Sequence, residues 1–362
     1  MTWFSGRRLL AVMIKELRQL GRDRMTLGMI VGIPVLQLLL FGFAINMDVR
    51  GLTLAVADQS QTTASRALVQ DLLATQVVAP TASAATAQEL MQLLQAGTVS
   101  VGVLIPPDFE RRRLEGREAV QILVDGSDSV VQSSARQLTQ LPLDRAPTAE
   151  QLISVVALYN PERSSAVHIV PGLIGVILTL TMVLFTAVAI VRERERGNME
   201  LLITTPVSSA ELMIGKVLPY IGIGLLQTSV VLLLGTWTFD VPVRGDLLAV
   251  YLAALLLIAA NLSLGLLIST RARTQFQAMQ MAFFVFLPSI LLSGFMFPFA
   301  GMPIVAQWLA QLLPLTHFIR LIRGIMLRGA ELADLQASVH ALLLFTAVMM
   351  IVAILMFRKR LD

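Results

Sequence analysis

The sequence predicts a mainly α-helical polytopic membrane protein with a small α/β domain outside the membrane. Of its 362 residues, 56% are hydrophobic and only 14% are charged, whereas an ordinary soluble domain is about 25% charged. Six stretches are apolar enough to span a bilayer as helices, at roughly 20 residues each. Between the first two of them, residues 47–167 alternate strand-like and helix-like segments, as an α/β domain does.

The six predicted transmembrane helices contain no Asp, Glu, Lys or Arg. They cover residues 27–46, 168–191, 217–239, 247–268, 277–297 and 339–357. Proton- and ion-coupled transporters usually need an ionisable residue at membrane depth, so secondary transport is disfavoured. The neutral polar residues inside the helices, such as Gln227 and Asn261, are predicted to hold neighbouring helices together.

Basic residues cluster on one side of the predicted membrane. Six Lys or Arg residues lie in Gly6–Arg24, before the first helix, and three more lie in the tail, residues 358–362. The short connection Asp240–Asp246, on the opposite side, holds only Arg244. By the positive-inside rule, both termini are cytoplasmic, and the α/β domain between helices one and two is extracytoplasmic.

The first 26 residues precede the membrane. In residues 1–26, apolar side chains recur at helical spacing between basic ones, which predicts an amphipathic helix in the membrane surface. A solvated basic leader is the alternative. The apolar run that follows is too long for the core of a cleaved signal peptide.

Residues 47–167 show the sequence patterns of short strands and helices. The predicted strands are Leu52–Asp58, Val99–Pro106 and Ala119–Asp128. The predicted helices cover residues 65–74, 87–97 and 108–116, and a glycine closes the second and the third. The segment shows no metal-ligand cluster and no nucleophile motif, and the chain has no cysteine.

The last connection, residues 298–335, is about half apolar and is interrupted by three prolines. Non-helical backbone is tolerated at membrane depth only where protein or a cavity satisfies it, so this segment is predicted to form short re-entrant or interfacial helices at the outer face. Its arginines are expected to extend to water: Arg320, Arg323 and Arg328. A seventh transmembrane helix over Ile304–Met326 is the alternative, but it would leave the basic tail outside.

The sequence carries no recognisable catalytic or nucleotide site. Gly215-Lys216 is followed by Val217 and lacks a glycine-rich cradle, so no phosphate-binding loop is predicted. No motif of a metalloprotease or a serine hydrolase occurs either. The net charge of +4 is too small to suggest nucleic acid. The chain is therefore predicted to be neither an enzyme nor the holder of a cofactor.

A block of alternating charge follows the second predicted membrane helix. The stretch RERERGNMELLITTP runs from Arg192 to Pro206, and its Gly197 is a natural helix stop. Ser208 and Glu211 have the spacing of a capping box, which predicts a short helix that reaches Lys216. We call residues 192–216 the elbow. On charge alone, the block is a stop signal that anchors the helix at the interface.

The block resembles the signature of the ABC type-2 exporter permeases, which runs roughly R-E-x-E-x-G-T-x-E-x-L-x-x-T-P. The matching residues are Arg192, Glu193, Glu195, Gly197, Glu200, Leu202, Thr205 and Pro206. The sequence has Asn198 where the family usually has Thr, and both residues can cap a helix. Two more segments resemble the family, Tyr159–Gly175 and Ser293–Gly329, so that the resemblance extends over essentially the whole chain.

The resemblance implies the permease subunit of a drug- or lipid-type ABC exporter in the bacterial inner membrane. Such a subunit pairs with a second copy or a paralogue, and a separate ABC ATPase subunit hydrolyses the ATP. The elbow would dock onto the ATPase, which the N-terminal helix would also contact. The candidate coupling residues are Arg192, Glu193, Glu195, Gly197, Glu200, Thr205, Pro206, Ser208, Glu211 and Lys216.

The expected cargo is an amphiphilic compound or a drug, because the predicted helices are neutral and apolar. Membrane lipid surrounds such a chain, and a periplasmic adaptor is compatible with it. The alternative is a non-transporting membrane scaffold or sensor whose outer domain binds a partner. A neighbouring gene for a phosphate-loop ATPase would argue against that alternative.

Overall fold

The computed structural model describes residues 51–127, 131, 138, 153–162, 164–195, 209–297 and 299–356, and for residues 209–218 and 300 it describes the backbone alone. Three predicted segments lie outside the described residues: the N-terminal helix, the membrane helix over residues 27–46 and the tail. Their structures therefore stay predictions.

The α/β domain contains a mixed five-stranded sheet. Its elements are β1 (Leu52–Asp58), α1 (Thr63–Ala74), β2 (Val78–Ser83), α2 (Ala87–Gln95), β3 (Val101–Ile105), α3 (Phe109–Leu114), β4 (Val120–Asp125) and β5 (Ile153–Leu158). The strand order is β2-β1-β3-β4-β5. All neighbouring strands are parallel except β3 and β4, which are antiparallel. The three predicted strands and three predicted helices are confirmed, with bounds that shift by at most three residues.

The two faces of this sheet have different helical covers. Leu68 and Leu72 of α1 pack in one buried cluster with strand residues, and Leu90 and Leu94 of α2 pack in another. The predicted glycine stop of α2 is confirmed at Gly97, whose φ is +71°. There the last turn of α2 closes through a hydrogen bond from the backbone N–H of residue 98 to a helix carbonyl.

The helical region follows the α/β domain along the chain. It contains α4 (Ser165–Glu195), α5 (Ser209–Phe239), α6 (Leu247–Arg271), α7 (Gln275–Leu292), a 3₁₀ turn (Phe299–Gly301), α8 (Ile304–Gln311), α9 (Pro314–Arg323), a π-turn (Gly324–Arg328) and α10 (Gln336–Met356). Among the described residues, five helices are long and apolar enough to cross a membrane: α4, α5 from Pro219 onward, α6, α7 and α10. A sixth would require residues 27–46.

Helix α6 lies at the centre of the helical region and packs against α4, α5 and α10. The most apolar stretches of α4 and α6 are 61% buried, whereas that of α10 is only 11% buried. Exposed leucines such as Leu226 on α5 and Leu344 on α10 therefore suit contact with lipid or another chain.

Neutral polar side chains connect the helices, as predicted. The Asn261 Nδ2 group on α6 donates a hydrogen bond to Thr179 Oγ1 on α4 at 3.2 Å. The Thr181 hydroxyl on α4 lies 2.9 Å from Gln227 Oε1 on α5. These bonds lie inside apolar helix interfaces, where a polar group left without a partner would cost free energy.

The segment after α7 forms two short helices rather than a seventh membrane helix, because the chain leaves the helical path between α8 and α9. The prediction that its arginines extend to water is wrong for Arg323 and Arg328. Arg323 is only 7% exposed, and the Arg328 side chain is 11% exposed. Both side chains form hydrogen bonds inside the protein, so neither has to extend to water to be solvated.

Candidate coupling site and junction cavity

The structure describes only part of the predicted coupling set. Arg192, Glu193 and Glu195 form the last turn of α4. Glu211 and Lys216 are described by their backbone alone, in the first turns of α5. The other five predicted residues lie outside the described part of the chain: Gly197, Glu200, Thr205, Pro206 and Ser208.

The last turn of α4 is bonded to the turn between α6 and α7. The Arg194 guanidinium donates to the backbone carbonyls of Ser269, at 3.3 Å, and Ala272, at 3.1 Å. The Glu195 carboxylate accepts a hydrogen bond from the Gln275 backbone N–H at 2.9 Å and contacts the Gln275 side-chain amide. Arg194 and Gln275 were not among the predicted site residues.

The charges of Arg194 and Glu195 are opposite in sign to the partial charges of the helix ends that they contact. The last carbonyls of a helix carry partial negative charge, and the first N–H groups carry partial positive charge. Arg194 meets the carbonyl end of α6, while the next residue, Glu195, meets the N–H end of α7. The last turn of α4 therefore binds the end of α6 through a positive side chain and the start of α7 through a negative one.

Replacing Glu195 with Ala is expected to loosen the first turn of α7, because the Gln275 N–H loses its acceptor. Hydrogen–deuterium exchange at the start of α7 should then be several-fold faster than in the wild type. Arg192→Ala, at the same end of α4, is the matched control and should leave this exchange unchanged. Equal exchange in Glu195→Ala and wild type would contradict a capping role for the carboxylate.

The start of α5 corrects one prediction. A separate short helix was predicted to end near Lys216, with the third membrane helix beginning at residue 217. The structure has one continuous helix over Ser209–Phe239, with Pro219 inside it. Pro219 cannot donate a backbone hydrogen bond, but the loss of this one bond does not end the helix, which continues on both sides of it.

The opposite end of the helical region contacts the α/β domain, and we call this contact the junction. Arg328 of the π-turn forms an ion pair with Asp125 at the end of β4, with Nη1 and Oδ2 at 3.0 Å. The side chains are 11% and 8% exposed, respectively. Gly97 lies so close to the Arg328 guanidinium that a Cβ there would be 2.7 Å away. This close approach and the φ of +71° together favour glycine at this position.

A second set of contacts crosses the junction through His168 at the start of α4. His168 Nδ1 lies 2.9 Å from the Ser127 carbonyl oxygen, which can only accept. Nδ1 can donate to this oxygen, and Nε2 lies 3.3 Å from the Arg323 guanidinium. Arg323 also donates to the Gly294 carbonyl at 3.1 Å. His168 thus connects the α/β domain to α9.

A third contact uses Arg244, the basic residue of the connection between α5 and α6. Its guanidinium donates to the Tyr159 carbonyl at 3.1 Å and lies over the Tyr159 ring. Its backbone N–H donates to the Met326 carbonyl in the π-turn at 2.9 Å. Burial raises the pKa of the Tyr159 phenol, and the Asp125 carboxylate raises it further, so the phenol is neutral at physiological pH.

The two other segments that resemble the permease family meet at the junction. Tyr159–Gly175 contributes His168 and Gly172, and Ser293–Gly329 contributes Arg323 and Arg328. A Cβ at Gly172 would lie 2.5 Å from the Phe295 ring, so the segments also pack tightly together. Pairs such as Asp125 and Arg328 are 203 positions apart, and no local sequence signal could have found them.

A cavity of about 530 Å³ lies at the junction. Residues of the α/β domain, such as Ser100 and Asp125, form one wall, and residues of α9 and the π-turn form another. We call it the junction cavity. Among the described residues, no group of three or more His, Asp or Glu side chains could hold a metal ion.

Comparison with known proteins agrees with this architecture. Residues 24–355 match the model of the ABC-2 family transporter protein. The chain is 32% identical to the probable multidrug ABC transporter permease YbhS of Escherichia coli (strain K12), over 99% of this chain and 98% of that protein. It is 30% identical to the probable multidrug ABC transporter permease YbhR of the same strain, over 98% and 99%.

A third relative in this strain is the inner membrane transport permease YhhJ, which is 27% identical over 96% of each chain. The family model and these relatives cover the helical region and the α/β domain alike, so the match is not confined to one part of the chain. The chain therefore belongs to the ABC-2 transporter family, as a multi-pass membrane subunit of a transporter.

Proposed function

We propose that this chain is the permease subunit of an ATP-driven exporter, which pairs with a second copy or a paralogue and is driven by a separate ATPase subunit. The family membership and the names of the relatives support this function. The proposed cargo is an amphiphilic compound or a drug, in keeping with the word multidrug in those names. We propose an inner-membrane location with both termini in the cytoplasm, on the strength of the positive-inside rule.

One observation carries the coupling proposal, namely the bonds of Arg194 and Glu195 to the turn between α6 and α7. Because of these bonds, a displacement of the elbow at the end of α4 would also displace α6 and α7. At its other end, the elbow continues into the unbroken helix α5. A force on the elbow would therefore act on four helices, α4, α5, α6 and α7. Because α5 is continuous, it would transmit this force along its whole length.

The coupling proposal predicts that elbow acids are needed for ATP-dependent export. The test uses proteoliposomes that contain the chain and its ATPase, loaded with a fluorescent amphiphilic dye. Glu200→Ala and Glu211→Ala are expected to lower ATP-dependent dye export about tenfold or more, because truncating one partner of a charge pair at an interface is costly. ATP hydrolysis should lose its dependence on the dye.

The matched control is Glu110→Ala, at an exposed acid in α3 of the α/β domain, which should export at the wild-type rate. Unchanged export in both elbow variants would contradict the coupling role. If the wild-type chain recovers no ATPase in pull-downs and exports nothing, the permease function itself is wrong. The scaffold or sensor alternative would then be favoured.

A further inference from the structure

Two arginines lie in the short turn that connects α6 to α7. Arg271 is the last residue of α6, and Arg273 lies two positions before the first residue of α7. Both residues are exposed. Within the described part of the chain, neither guanidinium forms an ion pair. The acid that contacts this turn, Glu195, accepts its hydrogen bond from the backbone N–H at the start of α7.

Hydrogen bonds fix the backbone of this α6–α7 turn. The Thr274 hydroxyl oxygen accepts from the Gln277 backbone N–H at 3.2 Å, and Gln277 Oε1 accepts from the Arg273 backbone N–H at 2.9 Å. This reciprocal pair resembles a capping box. Between the two arginines, Ala272 is fully buried, and its carbonyl accepts from Arg194. The arginines therefore extend from a fixed backbone, so that only side-chain freedom is lost when they bind a ligand.

An exposed apolar stripe on α7 begins next to this turn. Its residues lie three or four positions apart, or side by side, on one face of the helix: Phe276, Met279, Phe283 and Phe284. At about 1.5 Å per residue, the stripe is roughly 12 Å long. Residues 285–292, the other half of α7, are all described, and none of them is exposed. The exposed apolar surface of α7 is therefore confined to the half nearest the elbow.

The length of the stripe indicates what covers it. The hydrocarbon core of a bilayer is about 30 Å thick, so one leaflet contributes roughly 15 Å. A partner helix that crossed the membrane would cover α7 over all of its 18 residues, or about 27 Å. A hydrocarbon chain of one leaflet would cover only the half of α7 that is exposed. The stripe therefore fits a lipid tail better than it fits a second membrane helix.

The arginines lie at the polar end of the stripe. Arg273 precedes Phe276 by three residues, at the end of α7 where the chain turns back from α6. Arginine side chains at the end of a membrane helix extend to the head-group region, and there they attract anionic lipids. A guanidinium also matches the geometry of a phosphate, to which it can donate two parallel hydrogen bonds. Cations followed by an apolar stripe match a lipid that has an anionic head group and hydrocarbon tails.

We infer that the α6–α7 turn and the stripe together bind one anionic phospholipid, in the leaflet on the elbow side of the membrane. Its phosphate contacts Arg271 and Arg273, and one hydrocarbon tail lies along Phe276, Met279 and Phe283. The inference needs only that α7 crosses the membrane, for which the helix is long and apolar enough. It does not depend on the proposed export or on the coupling to an ATPase, so it holds or fails independently of them.

The test places a fluorescent reporter in the stripe and measures which lipid surrounds it. The three native tryptophans, Trp3, Trp237 and Trp308, are replaced by Phe, and Phe283→Trp supplies the reporter in the full chain. The protein is reconstituted into phosphatidylcholine bilayers that contain either brominated phosphatidylglycerol or brominated phosphatidylcholine, whose bromine atoms quench tryptophan on contact. Phosphatidylglycerol should bind at this site at least about five times more tightly than phosphatidylcholine, because charge-assisted hydrogen bonds are the stronger ones.

Variants and a second reporter separate binding at this site from binding elsewhere. Arg271→Gln combined with Arg273→Gln should lower the affinity for phosphatidylglycerol to that for phosphatidylcholine. Arg117→Gln, which removes an exposed arginine of the α/β domain, is the matched control and should keep the preference. Leu344→Trp, as the sole reporter on the exposed face of α10, should show no preference. Millimolar inorganic phosphate should not displace the phosphatidylglycerol, because it has no tail for the stripe.

Several outcomes would overturn the inference. Equal quenching by the two brominated lipids, in protein that has both arginines, would show that the turn selects no head group. An unchanged preference in the double Gln variant would show the same. Quenching by neither lipid would show that protein covers the stripe, and displacement by inorganic phosphate would leave the stripe without a role. A double variant that keeps the lipid preference but no longer recovers the ATPase would assign the arginines to the ATPase.

Discussion

Replacing Asp125 with Ala is expected to lower the free energy of unfolding by about 3 kcal/mol. The substitution leaves the Arg328 guanidinium buried without the carboxylate that lies 3.0 Å away. Removing one partner of a buried ion pair typically costs about 3–5 kcal/mol, because the other charge stays desolvated and uncompensated. We expect the lower end of this range because the adjoining cavity can admit water to Arg328.

The measurement is an SDS titration of the purified protein in mixed micelles, with helicity as the signal. Asp125 also accepts a hydrogen bond from the Ser127 backbone N–H at 2.9 Å, so Asp125→Asn is a useful second variant that keeps an acceptor and removes only the charge. Glu115→Ala, which removes exposed ion pairs, should change the free energy by less than about 0.5 kcal/mol.

A double variant tests whether the effect belongs to the pair. Asp125→Ala combined with Arg328→Ala removes both charges, so it should recover part of the stability lost in Asp125→Ala alone. Strict additivity of the two single losses would contradict a direct interaction. A loss in Asp125→Ala no larger than that in Glu115→Ala would show that the ion pair does not hold the junction together.

Local pattern predicted much of the fold. The alternating and apolar runs of β1, β3 and β4 identified those strands, because side chains of a strand alternate between the two faces of its sheet. Strands β2 and β5 were missed. Strand β2 contains Pro80, and half of its six residues are exposed. In a sequence, a proline usually argues against a strand. An edge strand tolerates one, however, and β2 is at the edge of this sheet.

The junction could not be predicted, because its contacts are long-range and its geometry is irregular. Nothing in the periodicity of Pro314–Arg328 signals a π-turn, so its arginines were expected to reach water as isolated charges. The partners of Arg323 and Arg328 lie in three separate parts of the chain: β4, the start of α4 and the segment after α7. Only the folded chain brings these parts together.

The charged block shows how far local reasoning extends. Its position after a membrane helix identified it as a stop signal, and its motif identified a family. The sequence could not show that Arg194 contacts the end of α6 while Glu195 contacts the start of α7. The prediction that Glu200 and Glu211 couple to an ATPase stays a prediction.

Replacing Gly265 with Val is expected to lower the free energy of unfolding by about 3 kcal/mol, since it adds bulk where α6 crosses α4. A Cβ at this position would lie 2.9 Å from the Val183 carbonyl oxygen and 2.8 Å from Thr186 Cβ. A backbone carbonyl cannot rotate away as a side chain can, so the two helices must separate. Overpacking of this kind usually costs about 1–3 kcal/mol.

We expect the upper end of that range because separation would also strain the hydrogen bond from Asn261, one turn earlier on α6, to Thr179. Gly222→Val in α5 is the matched control, since nothing lies within 4 Å of its added Cβ and both sites gain the same β-branched residue. SDS titration of both variants gives the comparison. An equal loss of unfolding free energy in both variants would assign the effect to the low helix propensity of valine. A Gly265→Val variant as stable as the wild type would contradict the close approach of α4 and α6, on which the packing of the helical region depends.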